Sequence, residues 1–156
     1  MIQLNLPSCQ IKLSGTKDSP RIWDILRHKY VRLTPEEWVR QHFIHYLIEH
    51  KGFPPALMSN EMEMKIGGKR LRADTVVYRR GSVQPLALVE YKAPTVPIRQ
   101  SVFNQVSAYN ILMRVDYLIV SNGMQHYCCK MNYESRSYTF LDTIPDYMAM
   151  MEGRCV

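Results

Sequence analysis

The chain is short of the features that mark several protein classes. Its 156 residues contain only 7 glycines and no repeat or low-complexity tract, which excludes collagen-like, fibrous and disordered chains. The four cysteines are Cys9, Cys128, Cys129 and Cys155, and no two have the two-to-four-residue gap with which paired thiolates close on zinc. That spacing excludes a structural zinc site and fits a reduced, cytoplasmic protein with Cys128 and Cys129 on alternate faces of a strand. No apolar run approaches the roughly 18 residues of a membrane span, and the start Met1-Ile2-Gln3-Leu4-Asn5-Leu6-Pro7 lacks the basic residues and apolar stretch of a secretory signal. The histidines His42, His45 and His50 lack the His-Glu-x-x-His order of a helical metal site and read as a solvated helix face; His28 and His126 stand alone.

What is present is 46% hydrophobic and 22% charged, the composition of one globular domain. A chain of this length can bury roughly 70% of its unfolded surface around one core. We therefore read residues 1–156 as a single domain, with an N-terminal arm over 1–20 and a C-terminal tail over 144–156. The formal charge of +6 favours an anionic partner. Lys65, Lys69, Arg70, Arg72, Arg79 and Arg80 share one sixteen-residue stretch, for which a solvated hairpin rim is the plain reading.

Periodicity divides the chain into elements. Ile2, Leu4 and Leu6, then Ile11 and Leu13, suggest a short strand pair or an extended arm, and Ile22, Trp23, Ile25 and Leu26 a helical turn. Thr34-Pro35-Glu36-Glu37 is a helix start: an N-cap threonine, proline at the first helical position and glutamate three residues after the cap. This helix spans about 35–50, with Val39, Phe43, Tyr46 and Leu47 as its apolar stripe. Turn signals at Gly67-Gly68 and Gly81 then delimit antiparallel strands at about 59–66, 70–78 and 85–92. A second amphipathic helix covers 98–113, a buried strand 116–121, further strands 125–131 and 137–141, and a short helix the tail. The order predicts an α/β sandwich with a mixed central sheet.

Asp74 lies inside the apolar strand Leu71-Arg72-Ala73-Asp74-Thr75-Val76-Val77-Tyr78, where its charge needs a partner, a metal or water. The next strand ends Val89-Glu90-Tyr91-Lys92, and two-residue alternation points Glu90 and Lys92 to one face. If Tyr78 pairs with Leu86, Asp74 falls opposite Glu90 with Cβ atoms about 5 Å apart. Two carboxylates so close repel unless one is protonated or a cation lies between them. Mg²⁺, or Mn²⁺ in its place, suits such oxygen donors and could polarise a phosphoryl group, while Lys92 orients a water or offsets growing charge. The competing reading is a plain cross-strand ion-pair cluster.

Leu33-Thr34-Pro35-Glu36-Glu37-Trp38-Val39-Arg40-Gln41, Arg72-Ala73-Asp74, Val89-Glu90-Tyr91-Lys92-Ala93-Pro94, Gln105 with Tyr109, and Ser121-Asn122-Gly123 follow in order over about residues 20–130. Together they resemble the PD-(D/E)XK nuclease superfamily, and more narrowly the N-terminal nuclease region of type I restriction enzyme R subunits. The resemblance implies a restriction-endonuclease-like mixed sheet flanked by helices and a DNA endonuclease. It implies Mg²⁺ held at Asp74, Glu90 and Tyr91, with Lys92 assisting the water. Gln105 and Tyr109, four apart on one helical face, would support the site or touch DNA. A helix glutamate often completes such sites; Glu36 shares the stripe of Val39 and Phe43, whereas Glu37 is the capping-box residue, so Glu36 is favoured. Glu61 and Glu63 alternate on one face of the first strand, either as auxiliary residues of the site or, on the plainer reading, for edge-strand solubility. R subunits continue into an ATP-driven translocase, but this sequence holds no Gly-x-x-x-x-Gly-Lys-Ser/Thr phosphate loop, so the expectation is either a free-standing relative or motor and specificity functions supplied by another chain. Cutting both strands with one site per chain would favour a homodimer. The alternative function is a catalytically silent nucleic-acid-binding or assembly module of a restriction complex.

Overall fold

A computed structural model describes residues 1–153 and, within them, all side chains but those of Ile66, Tyr109, Asn110, Ile111 and Leu112; Cys155 thus lies outside the described residues. The chain opens with an extended segment, 1–12, and not with a strand pair. Asn5 N–H donates to Gly123 O at 2.8 Å and Trp38 Nε1 to Ile2 O at 3.1 Å, so this arm is pinned to the body. Strands β1 (Leu13–Thr16), β2 (Ser19–Asp24) and β3 (Lys29–Arg32) then form a small antiparallel sheet, which shortens the predicted arm.

The helical turn expected at Ile22–Leu26 is the end of β2 followed by a turn over residues 25–28. The apolar spacing there reflects a strand with Ile22 and Asp24 facing inward. Asp24 Oδ1 accepts from the Leu26 and Arg27 amides, both at 2.9 Å, and this side-chain capping turns the chain before a helix can start.

Helix α1 (Pro35–Lys51) begins where the sequence places it: Thr34 Oγ1 accepts the Glu37 amide at 3.0 Å. It ends at Gly52, whose φ of +66° provides the left-handed cap. After a single 3₁₀ turn, Pro55–Leu57, the main sheet follows: β4 (Met58–Ile66), β5 (Lys69–Tyr78) and β6 (Pro85–Tyr91), then helix α2 (Gln100–Met113), β7 (Tyr117–Ser121), β8 (His126–Asn132), β9 (Ser137–Leu141) and helix α3 (Tyr147–Met151). The strands lie in sequence order; β6–β7, bridged by α2, is the parallel pair, and the other neighbours are antiparallel.

One face of this sheet carries Val77, Val89, Tyr91, Ile119 and Cys128 against Phe43 and Leu47 of α1 and Tyr147 of α3. The other carries Val76, Leu88, Val120 and Cys129 against Phe103 and Val106 of α2. Cys128 and Cys129 thus face opposite layers, and burial pushes both thiols up to about 12, which leaves them unreactive. Among the described residues no helix is long and apolar enough to cross a membrane.

The Ser121-Asn122-Gly123 corner has a structural duty. Asn122 Oδ1 accepts the Met124 and Gln125 amides at 3.0 and 2.8 Å, and its Nδ2 donates to Val96 O at 2.9 Å. Gly123 has φ +81°, and a Cβ there would meet Leu4 Cδ2 at 2.7 Å and Val39 Cγ2 at 3.2 Å. His126 belongs to the same anchor, with Nε2 at 2.9 Å from Asn5 O and Nδ1 at 2.8 Å from Ser121 Oγ. We expect Gly123→Ala to cost about 1–3 kcal/mol through left-handed strain and displacement of the arm. Thermal denaturation should show a melting temperature lowered by several degrees, with faster proteolysis before Leu13; an unchanged melt would contradict this role.

Candidate active site

The site forms where β5 and β6 part. A bulge between Val77 and Tyr78 pairs Tyr78 with Pro85 and not with Leu86, but beyond it the register runs Val77↔Ala87, Val76↔Leu88, Thr75↔Val89. The ladder ends there, one step before Asp74 and Glu90. Asp74 Oδ2 replaces the next ladder carbonyl and accepts the Tyr91 amide at 2.9 Å, which holds the carboxylate between the diverging strands. On the other side of β6 the parallel ladder continues through Glu90↔Val120 to Tyr91↔Ser121, so the backbone carrying Glu90 stays fixed.

Lys92 Nζ donates to Glu90 Oε1 at 3.0 Å. Burial, followed by the charge of Asp74, pushes Glu90 up to about 7 against the opposing Lys92 hydrogen bond. Burial and then Asp74 also raise Glu36, with Lys92 acting the other way. Burial alone would lower Lys92, but the Glu90 hydrogen bond and charge, with Glu36 and Asp74, raise it, so it remains an ammonium. Glu36, Asp74, Glu90 and Lys92 therefore share one electrostatic environment. Its carboxylates outnumber its lysine.

Glu37 points elsewhere. Its carboxylate accepts from Gln41 Nε2 at 2.9 Å and Arg40 Nη1 at 3.1 Å, within a polar layer under the small sheet. Gln105 is exposed on α2, with no described contact to the carboxylates, and the Tyr109 side chain lies outside the described residues. The Tyr91 ring is buried on the opposite face, with its hydroxyl 3.1 Å from Thr75 Oγ1.

The sequence did not single out Arg40 and offered Glu61 as no more than an auxiliary residue. Arg40 is buried and donates to Glu61 Oε1 at 2.6 Å, to Glu37 at 3.1 Å and, through Nη2, to Asp74 Oδ1 at 3.1 Å. Its position four residues after Glu36 and three before Phe43 puts a cation on the apolar stripe, a signal that was legible. Glu61 is not an edge-strand solubility residue: it pairs with Arg40 and Arg72, and these cations outweigh burial to lower its pKa. Its φ of +55° lets it leave strand alternation, which no sequence pattern announced. Glu63, by contrast, is exposed on the same strand.

Asp74, Glu90 and Glu36 would offer carboxylate oxygens to a hard divalent cation, with Lys92 and Arg40 offsetting part of their mutual repulsion. Among the described residues no group of three His, Cys, Asp or Glu side chains is placed to hold a metal ion, so a bound ion would take most of its ligands from water and substrate oxygens.

Residues 35–145 match the family model described as the type I restriction enzyme R protein N terminus. The chain belongs to that family. No curated protein matches it. Among solved structures, a fragment of an HsdR subunit of a type I restriction enzyme from Vibrio vulnificus YJ016 shares the fold, with a TM-score of 0.56 and 16% identity over 77% of this chain. The chain spans a quarter of that structure's length, 25%. In this R-protein N-terminal fold the matched region begins at α1 and takes in Glu36, Asp74, Glu90 and Lys92.

Because Glu90 titrates near 7 when folded and near 4.5 when unfolded, the native state keeps a proton that the unfolded chain has released between those values. Stability of the metal-free protein should therefore fall as pH rises through that window, by about 1–3 kcal/mol. Urea unfolding from pH 4.5 to 8 should show Glu90→Gln gaining on the wild type across this range; a constant difference between the two would overturn the assignment.

Proposed function

We propose that the chain is a metal-dependent DNA endonuclease of the PD-(D/E)XK kind, acting as the nuclease part of a type I restriction system. The observation that carries this reading is the Asp74–Glu90–Lys92 group at the parting of β5 and β6, where burial and Asp74 raise Glu90 while Lys92 stays charged. Asp74 and Glu90 would hold Mg²⁺ or Mn²⁺ with the main-chain carbonyl of Tyr91, since its ring is turned into the core. Bound there, such an ion supplies Lewis acidity toward a phosphoryl oxygen and lowers the pKa of a water.

The chain's own residues then have separate tasks. Glu90 must be ionised to serve, so activity rises with pH as its proton is lost. The Lys92 ammonium, held by Glu90, orients the attacking water and offsets negative charge growing on the phosphorane. Water oxygen bonds to phosphorus as one phosphorus–oxygen ester bond breaks, the departing oxygen takes a proton from solvent water, and the products are a phosphate monoester and a hydroxyl terminus. Glu36 enters from the first turn of α1 and is suited to take up the proton of that water. Arg40 fixes the position of Asp74 and acts through it.

A second reading has its own support. Both Asp74 oxygens already accept hydrogen bonds, one from Arg40 and one from the Tyr91 amide, so Arg40 can stand as the built-in counter-charge of a silent DNA-binding module.

Supercoiled plasmid incubated with the protein and Mg²⁺ or Mn²⁺ should be nicked, and Lys92→Ala should slow nicking at least 100-fold, the order expected for loss of one charged transition-state contact. Cleavage undiminished in Lys92→Ala would sink the nuclease reading; DNA binding without cleavage under either metal would favour the silent module.

A further inference from the structure

The β4–β5 hairpin outruns the sheet it belongs to. β6 pairs with β5 only from Thr75 onward, so Met62–Ile66 and Lys69–Ala73 form a ribbon of five cross-strand pairs with no third strand. At about 3.4 Å per residue it is roughly 17 Å long. Gly67 and Gly68, at φ +57° and +78°, make the tight turn at its tip. Met62, Met64 and Ala73 pack toward the α2 layer, and Leu71 is buried there. Lys65, Lys69, Arg70 and Arg72 are exposed, and no acidic residue occurs between Met64 and Ala73.

The register makes this charge costly to the free protein. Lys65 stands directly opposite Arg70, and like charges in a cross-strand pair repel. Glu63 faces Arg72, but Arg72 is already claimed by Glu61, which in turn binds Arg40, the partner of Asp74. The ribbon's base is thus tied by ion pairs to the candidate active site, while its outer half keeps unneutralised cations. A two-stranded β-ribbon has the dimensions that enter the major groove of B-form DNA, about 12 Å wide.

We infer that this ribbon is the duplex-gripping element of the protein, with Lys65, Lys69 and Arg70 neutralising backbone phosphates in or beside the groove while the strand between Arg72 and Asp74 leads toward the scissile bond. The inference rests on the nuclease reading for the identity of the polymer. It assigns the ribbon to phosphates; phosphate contacts position DNA without reading its sequence.

Binding of a labelled duplex, measured without divalent metal over a series of salt concentrations, tests it on the full chain. Releasing three phosphate contacts should reduce the magnitude of the slope of log K against log salt by about 2–3. We expect that loss in the variant Lys65→Gln, Lys69→Gln, Arg70→Gln. The variant Lys12→Gln, Lys17→Gln, Lys29→Gln removes the same charge from exposed positions in and beside the small sheet and should keep the wild-type slope. Equal slopes in the ribbon variant and the wild type, or equal losses in both variants, would overturn the ribbon assignment. No duplex binding by the wild type would overturn it as well. The nuclease reading is scored separately by cleavage: a Lys92→Ala protein that binds with the wild-type slope and fails to cut upholds it even if the ribbon proves idle.

Discussion

Arg40 is 2% exposed, and its guanidinium reaches carboxylates from three elements: Glu37 of α1, Glu61 of β4 and Asp74 of β5. Taking such a cation out of water is tolerable only because several anions receive it, and removing one partner of a buried pair typically costs about 3–5 kcal/mol. Its partners hold it firmly charged. The consequence is geometric: α1 cannot shift along the sheet without breaking the contact that orients Asp74. The fork of a guanidinium, unlike an ammonium, can serve carboxylates in different directions at once. The Arg40 guanidinium also lies 5.5 Å from the centre of the Tyr91 ring, which ties the helix to β6 as well.

Around this group a wider polar layer joins the small sheet to the large one. Asp24 accepts from Arg27 and from Asn60 Nδ2 at 2.9 Å, Asn60 Oδ1 accepts from Thr75 Oγ1 at 2.6 Å, and Thr75 meets the Tyr91 hydroxyl. Gln41 Oε1 accepts the Ile25 amide at 3.3 Å. Buried and satisfied, these groups fix relative positions that apolar packing alone leaves adjustable. The site therefore stands on strands, on the first turns of a helix and on a hydrogen-bonded layer beneath them. That support suits a group of carboxylates that must stay close despite repelling each other.

Much of this was legible in the sequence. The capping residues of α1, the two-residue alternation through Glu90 and Lys92, the glycine turn at Gly67-Gly68 and the apolar run of β7 each have a local cause, and the mixed sheet follows from their order. The choice of Glu36 over Glu37 rested on the stripe, and the two side chains do point to different surroundings. What escaped depends on contacts between distant residues. Asp24 ends β2 by capping its own turn, so an apolar spacing of helical type belongs to a strand. Glu61 becomes a partner of Arg40 through a positive φ, and only the folded chain sets three carboxylates around that arginine. The basic residues at 65–72 were visible as a cluster, but only the strand pairing sets Lys65 against Arg70.

On the proposed reading, Asp74 and Glu90 together hold a divalent cation, and the Glu90 proton governs its binding. Calorimetric titration of the protein with Mn²⁺ at pH 6 and pH 8 tests it most directly. One ion per chain is expected, bound more tightly at pH 8, with proton release at pH 6 and loss of binding in Asp74→Asn and Glu90→Gln. Binding that ignores pH and survives both substitutions, or no binding at millimolar Mn²⁺, would contradict it.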